Sequence, residues 1–243
     1  MLRRLLTCFT FLCFYTHAQA QQQPVWSGVG IETNMMIGRM IKHTKNFTGP
    51  IPDHTYAFDL NIVKKTYGQK DWQKRRNFPQ IGLGFYYNNY NNQQVYGQTF
   101  GIFPNLQLNI IKGRKFEWTV LVGMGICYDT KPYERLPHTN IQDVAIGGHW
   151  NNCSPFSTDF RWKIDQHWDV QGGINFSHVS NASFQQPNLG INTYGAHIGL
   201  RYFPVTSEPK ILPGDPPKLK NRWMLQARYS MAFIENAPAD GPL

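Results

Sequence analysis

Residues 116–128 read Phe116-Glu117-Trp118-Thr119-Val120-Leu121-Val122-Gly123-Met124-Gly125-Ile126-Cys127-Tyr128, and their alternation decides the fold. Successive side chains of an extended chain point to opposite faces. Phe116, Trp118, Val120, Val122, Met124, Ile126 and Tyr128 therefore share one face. Glu117, Thr119, Gly123, Gly125 and Asp129 share the other, with Leu121 and Cys127 as its apolar exceptions. A soluble antiparallel sheet would turn the apolar face inward. A membrane barrel turns it outward to lipid and keeps the small and polar residues inside.

The same split recurs on both sides of this stretch, at 156–163, 96–110, 80–88, 56–63 and, less cleanly, 28–37. Tyr and Trp fall near several strand ends, where an interfacial aromatic belt would lie. No segment after the N-terminal region approaches the ~18 consecutive apolar residues of a membrane helix, and none repeats at helical period. Eight strands are predicted, at 26–39, 54–64, 80–88, 94–111, 115–128, 153–163, 167–180 and 190–203. The expected fold is all-β: an antiparallel transmembrane β-barrel whose closure removes the edges lipid cannot tolerate.

With the N-terminus in the periplasm, 112–114 and 164–166 become short periplasmic turns and 129–152 an extracellular loop. The connection 65–79, with Lys65, Lys70, Lys74, Arg75 and Arg76, is long for a turn and reads as a solvated loop. Beyond the barrel (21–204), residues 205–243 read as a Pro- and Lys-rich linker followed by a further alternation. There Trp223, Leu225, Ala227, Tyr229, Met231 and Phe233 interleave with Arg222, Gln226, Arg228 and Ser230. This is either a ninth strand outside an eight-stranded barrel or the start of a truncated extension.

Residues 1–20 have the layout of a secretory signal peptide. Arg3 and Arg4 precede an apolar run from Leu5 to Tyr15, and Ala18-Gln19-Ala20 ends it. Without that segment the chain holds 22 Lys and Arg against 15 Asp and Glu, a net charge of +7. An exported basic protein suits an anionic membrane or substrate and makes nucleic acid an implausible partner. Cys127 and Cys153 remain after removal of the signal, and an oxidising compartment permits a disulfide without requiring one.

The chemistry-bearing residues lie at the junction of the last two predicted strands. His178 and Ser180 continue the apolar series Trp168, Val170, Gly172, Ile174 and Phe176. Two apart on a strand, they are neighbours on one face. Asn192 opens the following strand on its apolar face, ahead of Tyr194, Ala196, Ile198, Leu200 and Tyr202. Polar groups on a lipid-facing wall cost free energy unless they bond one another or sit at headgroup level. Three together fit either a harmless headgroup-level cluster or a hydroxyl activated by an imidazole.

The stretch His178-Val179-Ser180-Asn181-Ala182-Ser183-Phe184-Gln185-Gln186-Pro187-Asn188-Leu189-Gly190-Ile191 resembles the signature of the outer-membrane lipid A 3-O-deacylases. The resemblance is sharp over 167–203 and diffuse elsewhere. It implies an eight-stranded barrel in the bacterial outer membrane, with His178 as general base and Ser180 as nucleophile. It also implies oxyanion or site-supporting roles for Asn181 and Asn188, and lipid A within lipopolysaccharide as substrate. One position departs from the pattern. The family carries a Glu fourteen residues after its His, and here that residue is Asn192. An amide can accept a hydrogen bond from a ring N–H but cannot offset imidazolium with a full charge. Glu134 and Asp143, in the loop 129–152, are alternative acids.

No zinc signature, Gly-rich phosphate loop or other cofactor pattern stands out, so the expected chemistry is ester hydrolysis without metal. A non-catalytic lipopolysaccharide-binding barrel and a lipid acyltransferase are the alternatives. A homo-oligomer is compatible with the sequence.

Overall fold

The computed structural model describes residues 26–42, 44–134, 140–206, 211–212, 214–218, 223 and 225–235. The predicted signal peptide lies outside the described residues. Eight antiparallel staves form a closed ring: β1 Val29–Ile41, β2 Thr55–Lys65, β3 Gln80–Asn89, β4 Gln98–Lys112, β5, β6 Trp150–Lys163, β7 Trp168–Ser180 and β8 Ile191–Tyr202. Each stave pairs with its chain neighbours. The first and last close the ring in register from Ile31↔Tyr202 to Ile41↔Asn192.

Stave β5 consists of two segments, Phe116–Gly123 and Gly125–Asp129. Both keep one register against β4, as Asn105↔Gly123 and Ile102↔Ile126 show. The break at Met124 falls opposite Pro104. Met124 N donates to Pro104 O at 3.3 Å, but proline has no N–H to return the bond. On the other side Pro155 of β6, which also lacks an N–H, falls one step away, opposite Gly123. A ladder short of donors on both flanks explains why one stave counts as two strands.

The exterior carries the apolar series anticipated from the alternation. Met35, Ile62, Leu83, Ile102, Met124, Ile126, Ile174 and Ile198 are all exposed. Exposed aromatics gather at both rims: Tyr56, Tyr128, Trp150 and Tyr194 at one, Trp162 and Trp168 at the other. Several of these rings touch across strands, including Tyr128–Trp150 at 5.3 Å and Trp168–Tyr202 at 4.7 Å. Such girdles flanking an apolar band are what a lipid-embedded barrel needs.

The interior is filled by a polar network. Glu32 Oε1 accepts from Asn61 Nδ2 (3.2 Å) and Gln107 Nε2 (2.7 Å), and its Oε2 from Arg201 Nε (2.9 Å). Arg161 lies 3.5 Å from the same carboxylate, and Arg201 also binds Asp169 at 3.0 Å. All these groups are buried, so bonding to one another replaces the water they lost. Toward the rim with the loops 42–54, 90–97, 130–149 and 181–190 the filling turns apolar. Phe47, Tyr90, Tyr96, Phe103, Leu121 and Ile146 pack there.

Two expectations need correction, and two alternatives that the sequence left open are resolved. Residues 65–79 are not merely a solvated loop; they contain a short helix, α1 Asp71–Arg75, although no helical segment was expected. Buried Gln73 ties it down by accepting from Gly68 N and Lys70 N at 3.1 and 3.3 Å. The sixth strand begins at Trp150 rather than 153, which shortens the preceding loop. Of the alternation 222–233, the described residues 223 and 225–233 lie outside the ring and join no sheet pairing. Its end does return to the barrel: Glu235 N donates to Ser183 O at 2.9 Å, and the Glu235 carboxylate accepts from Gln186 N. Finally, Cys127 and Cys153 are buried free thiols on the lumen side. Cys127 faces Asn151, and Cys153 faces Gly125, so the two sit diagonally across the strand pair.

Candidate active site

The side chains of interest sit on the outer wall at the rim that carries the longer loops. Register places Ser154 of β6, His178 of β7 and Asn192 of β8 in one row across three staves. One step toward the rim, Asn152 faces Ser180. All five lie at outward-facing positions, where their strands otherwise present Trp150, Phe156, Ile174, Phe176, Tyr194 and Ile198. Sequence parity brought His178, Ser180 and Asn192 together. It missed Asn152 and Ser154, although both interrupt the outward series Trp150, Phe156, Phe160 and Trp162.

His178 Nε2 lies 2.8 Å from Ser180 Oγ, and its Nδ1 lies 2.7 Å from Asn192 Oδ1. Asn192 Oδ1 can only accept, so this contact fixes the proton on Nδ1. Nε2 then presents its lone pair to the Ser180 hydroxyl. That is the tautomer a general base needs. Neither alternative acid takes the Asn192 position. Glu134 bridges Asn140 within its own loop, and Asp143 caps backbone amides.

The chain after Ser180 makes a tight loop. Asn181 N donates to Asn188 Oδ1 at 3.0 Å, and Phe184 N to Asn181 O at 3.1 Å. Ala182 and Ser183 hold φ of 55° and 64°, a left-handed pair that costs free energy in non-glycine residues. Asn188 is thus spent on the loop, whereas Asn181 Nδ2 is enclosed and has no hydrogen-bond partner among the described residues. Gly190, at φ 75°, passes so close that a Cβ there would lie 2.9 Å from His178 Cε1. Any side chain would push the imidazole off its partners. Ser180, Asn181, Ala182 and Phe184 form one bank of an open groove, and Ile126, Trp150 and Asn152 form the other. Farther along the wall, Phe156, Ile174, Phe176 and Tyr194 line a second, almost wholly apolar groove.

A second loop braces the site from behind. Gly190 N donates to Ala145 O at 2.9 Å, and Gly147 meets the Gln185–Gln186 backbone so closely that a Cβ would lie 2.5 Å from it. Asp143, 1% exposed, shapes that loop by accepting from Ala145 N (2.9 Å) and Ile146 N (3.2 Å). Burial pushes its carboxyl well above the ordinary carboxylate range, and the two amides offset this only partly. A raised folded value means that the folded loop holds the proton more tightly than the unfolded chain. Asp143 therefore favours folding fully below the ordinary carboxylate value and loses that contribution as pH rises through its folded value. Asp143→Asn keeps the acceptor without the charge and is expected to match or exceed the wild-type melting temperature in detergent at pH 8. Asp143→Ala should lose about 1–2 kcal/mol at pH 5 and less at pH 8, where the wild-type carboxyl has lost part of its contribution. An Asn variant that melts as low as the Ala variant at pH 8 would show that the charge itself is needed.

A closed barrel with an apolar girdled exterior and a polar filled lumen is an outer-membrane protein of bacteria. Residues 56–201 match the family model described as lipid A 3-O-deacylase (PagL), and the chain belongs to that family. No curated protein matches at the level of sequence. Among solved structures, the outer-membrane enzyme PagL is similar at 14% identity and a TM-score of 0.50, covering 69% of this chain and 97% of that one. Neisserial surface protein A is similar at 7% identity and a TM-score of 0.50, covering 73% and 97% respectively. At these identities the solved structures establish the fold alone.

Proposed function

We propose that this protein hydrolyses an acyl ester of lipid A at the outer leaflet, with Ser180 as nucleophile and His178 as general base. The observation that carries the reading is the relay Ser180–His178–Asn192, with both contacts under 3 Å, on a wall otherwise built to meet hydrocarbon. Ser180 Oγ attacks the ester carbonyl carbon and passes its proton to His178 Nε2. The tetrahedral intermediate collapses, the ester C–O bond breaks, and the imidazolium protonates the departing sugar oxygen. Water, deprotonated by the same imidazole, then releases the acyl group from Ser180. Asn181, whose enclosed Nδ2 has no hydrogen-bond partner among the described residues, donates to the oxyanion once its side chain turns into the groove, and Asn188 supports the loop that carries it. The membership of the deacylase family supports lipid A as substrate, and the apolar groove along the wall suits an acyl chain that stays in the bilayer.

The test is mass spectrometry of lipid A from cells expressing the protein. Loss of one hydroxyacyl chain is expected. Unchanged lipid A in cells holding folded wild-type protein would sink the reading. A new acylated product in place of free fatty acid would indicate transfer instead.

The amide at position 192 favours a second reading, a lipopolysaccharide-binding barrel without turnover. In serine proteases the corresponding acid-to-amide change costs about 10⁴ in turnover by enforcing the wrong tautomer. Here Asn192 Oδ1 faces the ring and avoids that fault, leaving only the loss of charge. Asn192→Ala is expected to slow deacylation by about 10²-fold or more. Asn192→Glu is expected to accelerate a reaction the wild type already performs. Activity appearing only in the Glu variant would favour the binding reading.

A further inference from the structure

Asn152 occupies a position that a lipid-facing strand would normally give to an apolar residue. It stands directly across from Ser180, and cross-strand neighbours on one face have Cβ atoms only ~4.5–5.5 Å apart. Its carboxamide is held at both ends. Ser154 Oγ donates to Asn152 Oδ1 at 2.8 Å, and Asn152 Nδ2 donates to the Gly125 carbonyl at 2.8 Å. Because a carbonyl can only accept, the second contact fixes which end of the amide is the NH2. An amide nitrogen carries two hydrogens, and the Gly125 contact uses one. The other has no acceptor among the described residues, and Asn152 lines the groove with Ser180 and Asn181.

We infer that Asn152 is a catalytic residue, supplying a second oxyanion donor from strand β6, opposite the one that Asn181 offers from the loop. The inference rests on the proposed Ser180–His178 mechanism. An ester carbonyl attacked by Ser180 develops negative charge on its oxygen, which must lie within reach of donors beside the nucleophile. Two amide groups flank Ser180, one on each side of the groove. A strand-borne donor locked by Ser154 and by a backbone carbonyl is already oriented, so it needs no reorganisation as charge develops. Ser154 is then a positioning residue. The competing role for Asn152 is structural: it satisfies a carbonyl beside the break in β5. That role uses one hydrogen and does not require the groove.

The experiment is steady-state hydrolysis of lipid A in mixed micelles by the purified full chain, with Ser180→Ala as reference. Asn152→Ala and Asn152→Asp are expected to lower kcat by about 10²-fold with KM changed less than about threefold, since an oxyanion donor acts in the transition state. The Asp variant matters because it preserves size and the bond from Ser154 while removing the donor. Ser154→Ala should be milder, about tenfold, because it loosens the carboxamide without deleting it. Melting temperature separates a loss of fold from a loss of kcat. Asn152 variants with kcat within threefold of wild type, beside an inactive Ser180→Ala, would overturn this assignment and leave the parent mechanism standing. So would a kcat deficit seen only in variants that melt early, with Asn152→Asp active. A Ser180→Ala as fast as wild type would defeat the mechanism and this assignment together.

Discussion

Ser180→Ala is expected to leave lipid A fully acylated, with turnover down by about 10⁴-fold or more. Its hydroxyl is the one that His178 Nε2 contacts, whereas the nearby Ser154 hydroxyl is turned to Asn152 Oδ1. His178→Ala should cost a similar factor, because Ser180 then has no base within reach of its proton. The two losses should not add. Groups that act as one unit fail together, so the double variant should be about as slow as either single one. Additive losses would mean that His178 and Ser180 serve separate steps. All three variants should keep the fold, since each changes a partly exposed side chain on the outer wall and leaves the lumen untouched. Free fatty acid release in detergent micelles, measured beside the melting temperature, decides the matter.

The second large effect is on stability. Glu32 lies 1% exposed in the lumen and takes hydrogen bonds from β2, β4 and β8 while facing Arg161 of β6. Glu32→Ala would leave two buried guanidinium groups without the carboxylate they share. Removing one partner of such a pair typically costs about 3–5 kcal/mol. Arg201 retains Asp169 and Gln80, and Arg161 retains Gln171 and Gln107, so unfolding is not expected to be spontaneous. The measurement is thermal unfolding in detergent, followed by the heat-dependent shift in gel mobility of barrels. A midpoint close to wild type would mean that water replaces the carboxylate and that the lumen is more open than its packing indicates. Replacing the charged set jointly with apolar residues of like volume should be far milder, because desolvation then disappears with the charge.

Much of this was legible in the sequence because a barrel wall is strictly two-sided. Polar interruptions at Ser180, His178 and Asn192 stand out only against the apolar residues that share their parity. The same logic would have exposed Asn152 and Ser154, but Pro155 and the turn-like Trp150-Asn151-Asn152 made 150–152 read as loop. What parity cannot give is register. Only the pairing Asn152↔Ser180 turns two isolated polar residues into neighbours, and register is set by the whole ring. Helix α1 escaped for a related reason. Five residues are too few to show a period, and the helix is held by Gln73 and by the packing at that rim. The tail was legible as an alternation but not as a stave, because alternation does not supply a partner. Cys127 and Cys153 showed the opposite limit: proximity in the barrel is real, yet nothing in their spacing decided between thiols and a disulfide.

The central claim is that Ser180, activated by His178, is the atom that takes the acyl group. A fluorophosphonate probe reacts with activated serine hydroxyls and leaves a covalent adduct that peptide mass spectrometry can locate. Treated in detergent, the wild-type protein should carry one adduct, on Ser180, and lose deacylation in step with labelling. His178→Ala should stay unlabelled. An adduct at another serine, or full activity in a protein labelled stoichiometrically at Ser180, would contradict the account.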